Sequence, residues 1–261
     1  MRQVFIHLHI PKCGGTTVSD FLYRNFGPRL LLTNGALNDY QYSAEQIEKI
    51  IDHHPQIECI SGHKLSANLP FYRTDFELKA FTWVRDPIDR FISHYFYHRH
   101  HTTKVPEAKK MTLPEYAEWA LGDGNQMMYV DGQSRFLSGG GVDLSKIKTK
   151  VDEGGLLLFP LPKLQESFYT LAHSFPSSFR DVSIQTKNIS TKDQPLTEDI
   201  RSSILPYVSN DLKLVQMANE TSLNNVRPDN QISSVKSVTK SAQKIAIRYL
   251  RGAANFIEKS Y

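Results

Sequence analysis

Cysteine is nearly absent: Cys13 and Cys59 are the two in 261 residues. Two cysteines make no disulfide framework, and such usage fits a reducing, cytoplasmic setting. Long apolar runs are missing as well. No stretch approaches the roughly 18 apolar residues that a membrane span needs, so no stable membrane insertion is expected. The first apolar run is short, carries two histidines and lacks the layout of a secretory leader. The sequons at Asn188 and Asn219 are therefore expected to stay unmodified. Charge of one sign is not in marked excess either. A formal net charge of +4 and a pI near 8.9 suit an anionic ligand without calling for nucleic acid. There is no internal repeat and no low-complexity block. What remains, 40% apolar and 22% charged, is enough for one substantial buried core.

Periodicity then divides the chain. VFIHLHI (4–10) reads as a buried strand, as do IECIS (57–61), KAFTWV (79–84) and GLLLFPL (155–161). TTVSDFLYRNF (16–26) puts Val18, Phe21, Leu22 and Phe26 on one helical face, with Thr16 or Thr17 as cap. Ser43 with Gln46 forms a capping-box pattern opening a helix over 43–53. Further helices are predicted from Pro87, over 112–121, near 162–174 and at about 197–219. The glycine-rich stretch 122–141 reads as a loop over the site. This alternation implies an α/β fold with a mainly parallel sheet covered on both faces. Residues 225–235 read as a linker. Residues 236–261 read as a basic amphipathic helix, with Lys236, Lys240, Lys244 and Arg248 four apart. It is expected to pack on the domain or on a partner subunit, which allows a homo-oligomer.

The first strand leads into HIPKCGGTT. In an open α/β sheet, ligands gather at the carboxyl ends of strands. A loop opening a helix there offers backbone N–H groups and the positive end of the helix dipole to an anion. Gly14 and Gly15 permit close backbone approach, Thr16 and Thr17 add hydroxyls, and Lys12 adds a point charge. The order is not that of the Walker loop, because here the lysine precedes the glycines. A glycine turn with an exposed lysine is the alternative at this point.

HIPKCGGTT resembles the 5′-phosphosulfate loop of sulfotransferases that use 3′-phosphoadenosine-5′-phosphosulfate. It is most similar to the heparan sulfate and chondroitin O-sulfotransferase-like group with its bacterial relatives. Their second motif, an arginine ending a strand with a serine eight residues on, is matched by VRDPIDRFISHY with Arg85 and Ser93. The resemblance spans roughly residues 4–220 and implies a P-loop-like fold for residues 1–224. It implies that Lys12 acts at the bridging oxygen of the donor and that the loop from Cys13 through Thr17 holds the 5′-phosphate. Arg85 and Ser93 would hold the 3′-phosphate. IECISGHKL resembles a segment of the 2-O-sulfotransferases, which implies that His63 is the general base, with Lys64 beside it toward the substrates. NQMMYVDGQSRFLSGG resembles a family segment near donor and acceptor, which brings in Gln133, Ser134 and Arg135 as candidates for the acceptor side. NISTKDQ resembles a late loop over the nucleotide, with Asn188, Ser190 and Lys192 as candidates. No metal is implied, since lysine and the helix terminus supply positive charge.

The bare residues leave other roles to weigh. His7 and His9 share a strand face and read as core or supporting histidines. His94, His98 and His101 could mimic a metal cluster, but a solvated or partly packed helix face is expected. Cys13 inside the loop suggests sensitivity to oxidation. Rivals to sulfuryl transfer to a carbohydrate or small-molecule hydroxyl are a nucleotide kinase using Asp86 for Mg²⁺ and a non-catalytic binder of anionic glycans.

Overall fold

The computed structural model describes residues 2–33, 41–69, 73–101, 105–122, 126–184 and 196–225. The linker beyond Asn225, the basic C-terminal segment and Asn188, Ser190 and Lys192 lie outside the described residues. Five strands form one sheet: β1 (Arg2–Leu8), β2 (Leu30–Thr33), β3 (Cys59–Gly62), β4 (Phe76–Val84) and β5 (Leu156–Pro160). All pair in parallel in the order β2-β3-β1-β4-β5. The helices are α1 (Gly15–Phe26), α2 (Ala44–His53), α3 (Pro87–His101), α4 (Leu113–Leu121), α5 (Gln126–Tyr129), α6 (Gly132–Ser138), α7 (Leu144–Asp152), α8 (Leu164–Ser174), α9 (Glu198–Ile204) and α10 (Ser209–Asn225).

The chain runs from β1 to one side of the sheet and then returns to place β4 on the other. The order therefore reverses between β1 and β4, and their carboxyl ends open a crevice where loops diverge. Both sequence motifs sit there. The expected parallel α/β sheet is what forms, and strand burial explains it: Val4 through Leu8 are all buried, as β1 is covered on both faces.

One face carries Phe5, Phe81, Trp83 and Phe159 against α1 and α8, in a cluster that also holds Phe21, Phe26, Phe168 and Phe179. Phe21 and Phe168 stack with ring centroids 3.8 Å apart. The other face buries Val4, Ile6, Leu8 and Leu158 against α2, α6, α7 and α10. A third cluster lies beyond the sheet, where α3, α4, α5 and α9 pack through Phe91, Tyr95, Tyr116 and Ile204.

Several expectations are corrected. β2 was not anticipated, because LLLT is four residues long with one of them only half-buried. The supposed glycine-rich loop contains α5 and α6, and α7 follows with Asp143 as its cap. The single helix expected over 197–219 is two. Pro206 brings no N–H to continue α9, a 3₁₀ turn at Leu205–Tyr207 intervenes, and α10 starts anew at Ser209 and extends to Asn225, the first residue of the expected linker. α2 has its expected capping box on Ser43 and Gln46. Removing the stacked ring in Phe21→Ala should lower stability by about 3–5 kcal/mol, read from the urea midpoint. Tyr169→Ala, at a position 47% exposed, should stay within about 0.5 kcal/mol of wild type.

Candidate active site

β1 ends at Leu8, and the chain turns through Ile10–Cys13 before α1 begins at Gly15. The cap of α1 is Gly14, at φ +80 and without a side-chain hydrogen bond, so Thr16 and Thr17 lie inside the first turn and do not cap it. The first-turn amides are thus left to something other than a capping side chain. Both glycines are sterically required. A Cβ on Gly15 would lie 1.9 Å from His9 Nε2, and one on Gly14 would lie 2.6 Å from Leu161 Cδ1. Lys12 is itself left-handed at φ 66, an uncommon state for a residue with a side chain.

Three side chains clamp this loop by its backbone and thiol. Arg85, at the end of β4, donates from Nη1 to the Lys12 carbonyl at 3.3 Å. Arg90 on α3 donates from Nε to the Pro11 carbonyl at 3.1 Å, while its two Nη atoms reach the Met128 carbonyl. Gln133 does the rest. Its Oε1 accepts from the Arg85 N–H at 2.9 Å and from Cys13 Sγ at 3.4 Å, and its Nε2 donates to the Arg85 carbonyl at 2.8 Å. With 0% exposure and its amide engaged, Gln133 is turned to the two loops and not to an acceptor. Arg135 likewise braces backbone, donating to the Val130 carbonyl at 2.9 Å and the Gly140 carbonyl at 3.4 Å.

Gln133 is held in turn by two helix starts that cap each other. The buried Asp211 carboxylate on α10 accepts the N–H groups of Gln133 and Ser134 and the Ser134 hydroxyl. Asp131, just before α6, accepts the N–H groups of Asn210 and Asp211. Each carboxylate sits at the positive end of the other's helix, which offsets its burial.

The electrostatics are cationic. Lys12 and Arg85 form no ion pair with a carboxylate among the described residues. Burial, then Arg85, lowers the Lys12 pKa to about 8. The Asp86 carboxylate beside them is spent on the start of α3, where Oδ1 accepts the N–H groups of Ile88 and Asp89. Ser93 is half-buried on α3, one turn before Tyr97, and the Lys12 ammonium lies 4.1 Å over the Tyr97 ring.

His63 follows β3 directly. Its Nδ1 lies 2.6 Å from the His9 carbonyl. A carbonyl can only accept, so Nδ1 carries the hydrogen and the lone pair sits on Nε2, the tautomer of a base. Its ring lies 4.1 Å from that of His9, which in turn lies 5.2 Å from His7. Burial holds His7, bonded to Ser61 Oγ, down at about 3 and drops His9 well below its usual value, so both are neutral supports at pH 7. Lys64 is half-buried beside His63.

Two readings of single side chains change. His94 and His98 are buried and not solvated, and His101 is exposed. His98 Nδ1 pairs with the Tyr116 hydroxyl at 2.7 Å, while His94 Nε2 is buried without a hydrogen-bond partner among the described residues. Burial, then Arg90, pushes His94 well below the usual histidine range. Cys13 is 3% exposed and burial raises its thiol to about 11, which opposes the thiolate that oxidation requires and removes the expected sensitivity.

The structure therefore brings Lys12, Gly14, Gly15, Arg85, Ser93 and His63 to one end of the sheet. It adds Arg90 and Asp211, which the sequence reading missed. Asp211 had no local signal, because its partners are about 77 residues away in the chain. Gln133→Leu should leave the buried Arg85 N–H and C=O unpaired and lower stability by about 2–4 kcal/mol. Amide exchange in residues 10–17 and 85–90 should accelerate while the α1–α8 core stays protected. Unchanged exchange there would mean the loops hold themselves.

Such a cationic loop at a helix start suits an anion. Residues 1–144 match the family model described as "Sulfotransferase family". No curated protein matches the chain. Among solved structures, mouse sulfotransferase SULT7A1 complexed with PAP is similar at 11% identity and a TM-score of 0.36, over 100% of this chain and 89% of that one. With more than half its length matched, the chain belongs to the sulfotransferase family, whose members transfer a sulfuryl group from 3′-phosphoadenosine-5′-phosphosulfate.

Proposed function

We propose that the protein is an O-sulfotransferase acting on a hydroxyl of a carbohydrate or a small metabolite. Residues 1–224 form the catalytic domain, and the enzyme works in the cytoplasm. The observation that carries the reading is the pairing of a clamped, carboxylate-free cationic loop with His63 in its basic tautomer at the neighbouring strand end. The loop is also fixed by packing: a methyl group at Gly14 would meet Leu161 and one at Gly15 would meet His9.

The donor supplies an activated sulfuryl group, and the chain's residues supply alignment and charge. The N–H groups from Gly14 through Thr17 grip the 5′-phosphate, and Arg85 with Ser93 grips the 3′-phosphate. Lys12 holds its ammonium toward the leaving phosphate, where negative charge grows. His63 Nε2 takes the proton of the acceptor hydroxyl, while the His9 carbonyl fixes the ring and stabilises the imidazolium that results. Lys64 serves the acceptor side, Gln133 positions Arg85, and Asn188, Ser190 and Lys192 contribute to nucleotide binding.

Calorimetry with adenosine 3′,5′-bisphosphate tests the donor. Tight binding that is indifferent to Mg²⁺ and lost in Arg85→Ala is expected, whereas preference for ATP with Mg²⁺ would support a kinase instead. His63→Ala should bind that nucleotide normally yet turn over about 10²–10⁴-fold more slowly, and wild-type turnover would remove His63 from the mechanism. The Lys12 ammonium is needed charged, so kcat/KM should fall as the pH rises through about 8.

A further inference from the structure

Tyr97 is a large ring left 41% exposed in the middle of a helix that otherwise buries its aromatics. Packing does not account for it. It stands four residues after Ser93, hence on the same face of α3, and its ring is the one over which the Lys12 ammonium lies at 4.1 Å. That separation is well inside the range of an ammonium–ring attraction. We propose that Tyr97 is the positioning residue for Lys12, its ring face holding the ammonium at the mouth of the anion site until the donor is bound. This rests on the reading of Lys12 as the lysine at the leaving group.

Three observations converge on the pair. Lys12 is left-handed at φ 66 while Arg85 pins its carbonyl, so the backbone is committed and the ammonium is left to be placed from outside the loop. No carboxylate pairs with Lys12 among the described residues, and Arg85 at the end of β4 repels it. Of the other titratable neighbours, Asp86 has its carboxylate on the first amides of α3, Cys13 in the loop is held as a thiol, and on α3 His94 and His98 are neutral, His98 pushed down to about 4 by burial and then by Lys12. On the far side of Tyr97, His98 and His101 contact its ring at 5.9 and 6.1 Å. An aromatic face attracts a cation without bringing a net negative charge. A carboxylate in its place would grip Lys12 harder but would repel a polyanionic donor and cancel the charge that the leaving phosphate needs.

The test compares Tyr97→Leu, Tyr97→Phe and Lys12→Ala in the full chain, with turnover and kcat/KM followed from pH 6 to 10. Tyr97→Leu should fold normally, being at an exposed position, and should lower kcat/KM for the donor roughly three- to tenfold. Losing the ring removes an interaction that favours the charged lysine, so the alkaline limb of kcat/KM should move to lower pH. Tyr97→Phe, which keeps the ring face, should match wild type in both. A Tyr97→Leu enzyme with the wild-type rate and limb, beside an inactive Lys12→Ala, overturns the inference alone. So does a slowed Tyr97→Leu whose limb has not moved, or a Tyr97→Phe that is equally impaired. Full turnover in Lys12→Ala would instead overturn the underlying reading of Lys12.

Discussion

The site depends on one buried side-chain amide. Gln133 closes a two-way hydrogen-bonded ring with the backbone of Arg85 and accepts from the thiol of Cys13, so one residue fixes the distance between the loops after β1 and β4. Those loops carry the two cationic groups, and a mobile gap between them would cost the alignment on which transfer of a weakly bonded group relies. The amide is itself immobile because α6 and α10 begin against each other, Asp131 and Asp211 exchanging caps. Helix dipoles therefore hold the carboxylates, the carboxylates hold α6, and α6 holds the site.

Concentrating Lys12, Arg85 and Arg90 with several histidines invites mutual repulsion. Burial relieves it. His7, His9, His94 and His98 are all driven toward the neutral form, so they fill the space around the loop without adding charge. Arg90 spends its donors on backbone carbonyls. Positive potential is thus retained at Lys12 and Arg85, which form no ion pair with a carboxylate among the described residues.

The loop after β1 is also where the chain accepts local cost. Lys12 and Gly14 occupy the left-handed region, and Gly15 is pressed against His9. Such conformations persist when the surroundings over-determine them. Here Arg85, Arg90 and Gln133 provide that determination from three directions, two of them from β4 and α3 and the third from a helix more than a hundred residues away.

Much of this was legible in the residues. HIPKCGGTT and VRDPIDRFISHY each combine a strand end, a helix start and cations within about a dozen positions, so local sequence determined both loops and, with the hydrophobic runs, the parallel α/β sheet. The capping box of α2 was equally local. The strand order, the short β2, the break at Pro206 and the true place of Gln133 were not. A glutamine in a polar, glycine-rich stretch carries no mark of burial, and its partners Cys13 and Arg85 are 120 and 48 residues distant. The face of His94, His98 and His101 read as solvated or partly packed, because helical spacing alone does not say that α4 and α5 will cover the first two. Covalent neighbours specified which groups meet an anion. Tertiary packing decided which of them stay charged and which are held still, since desolvation and long-range hydrogen bonds exist only once the chain has folded.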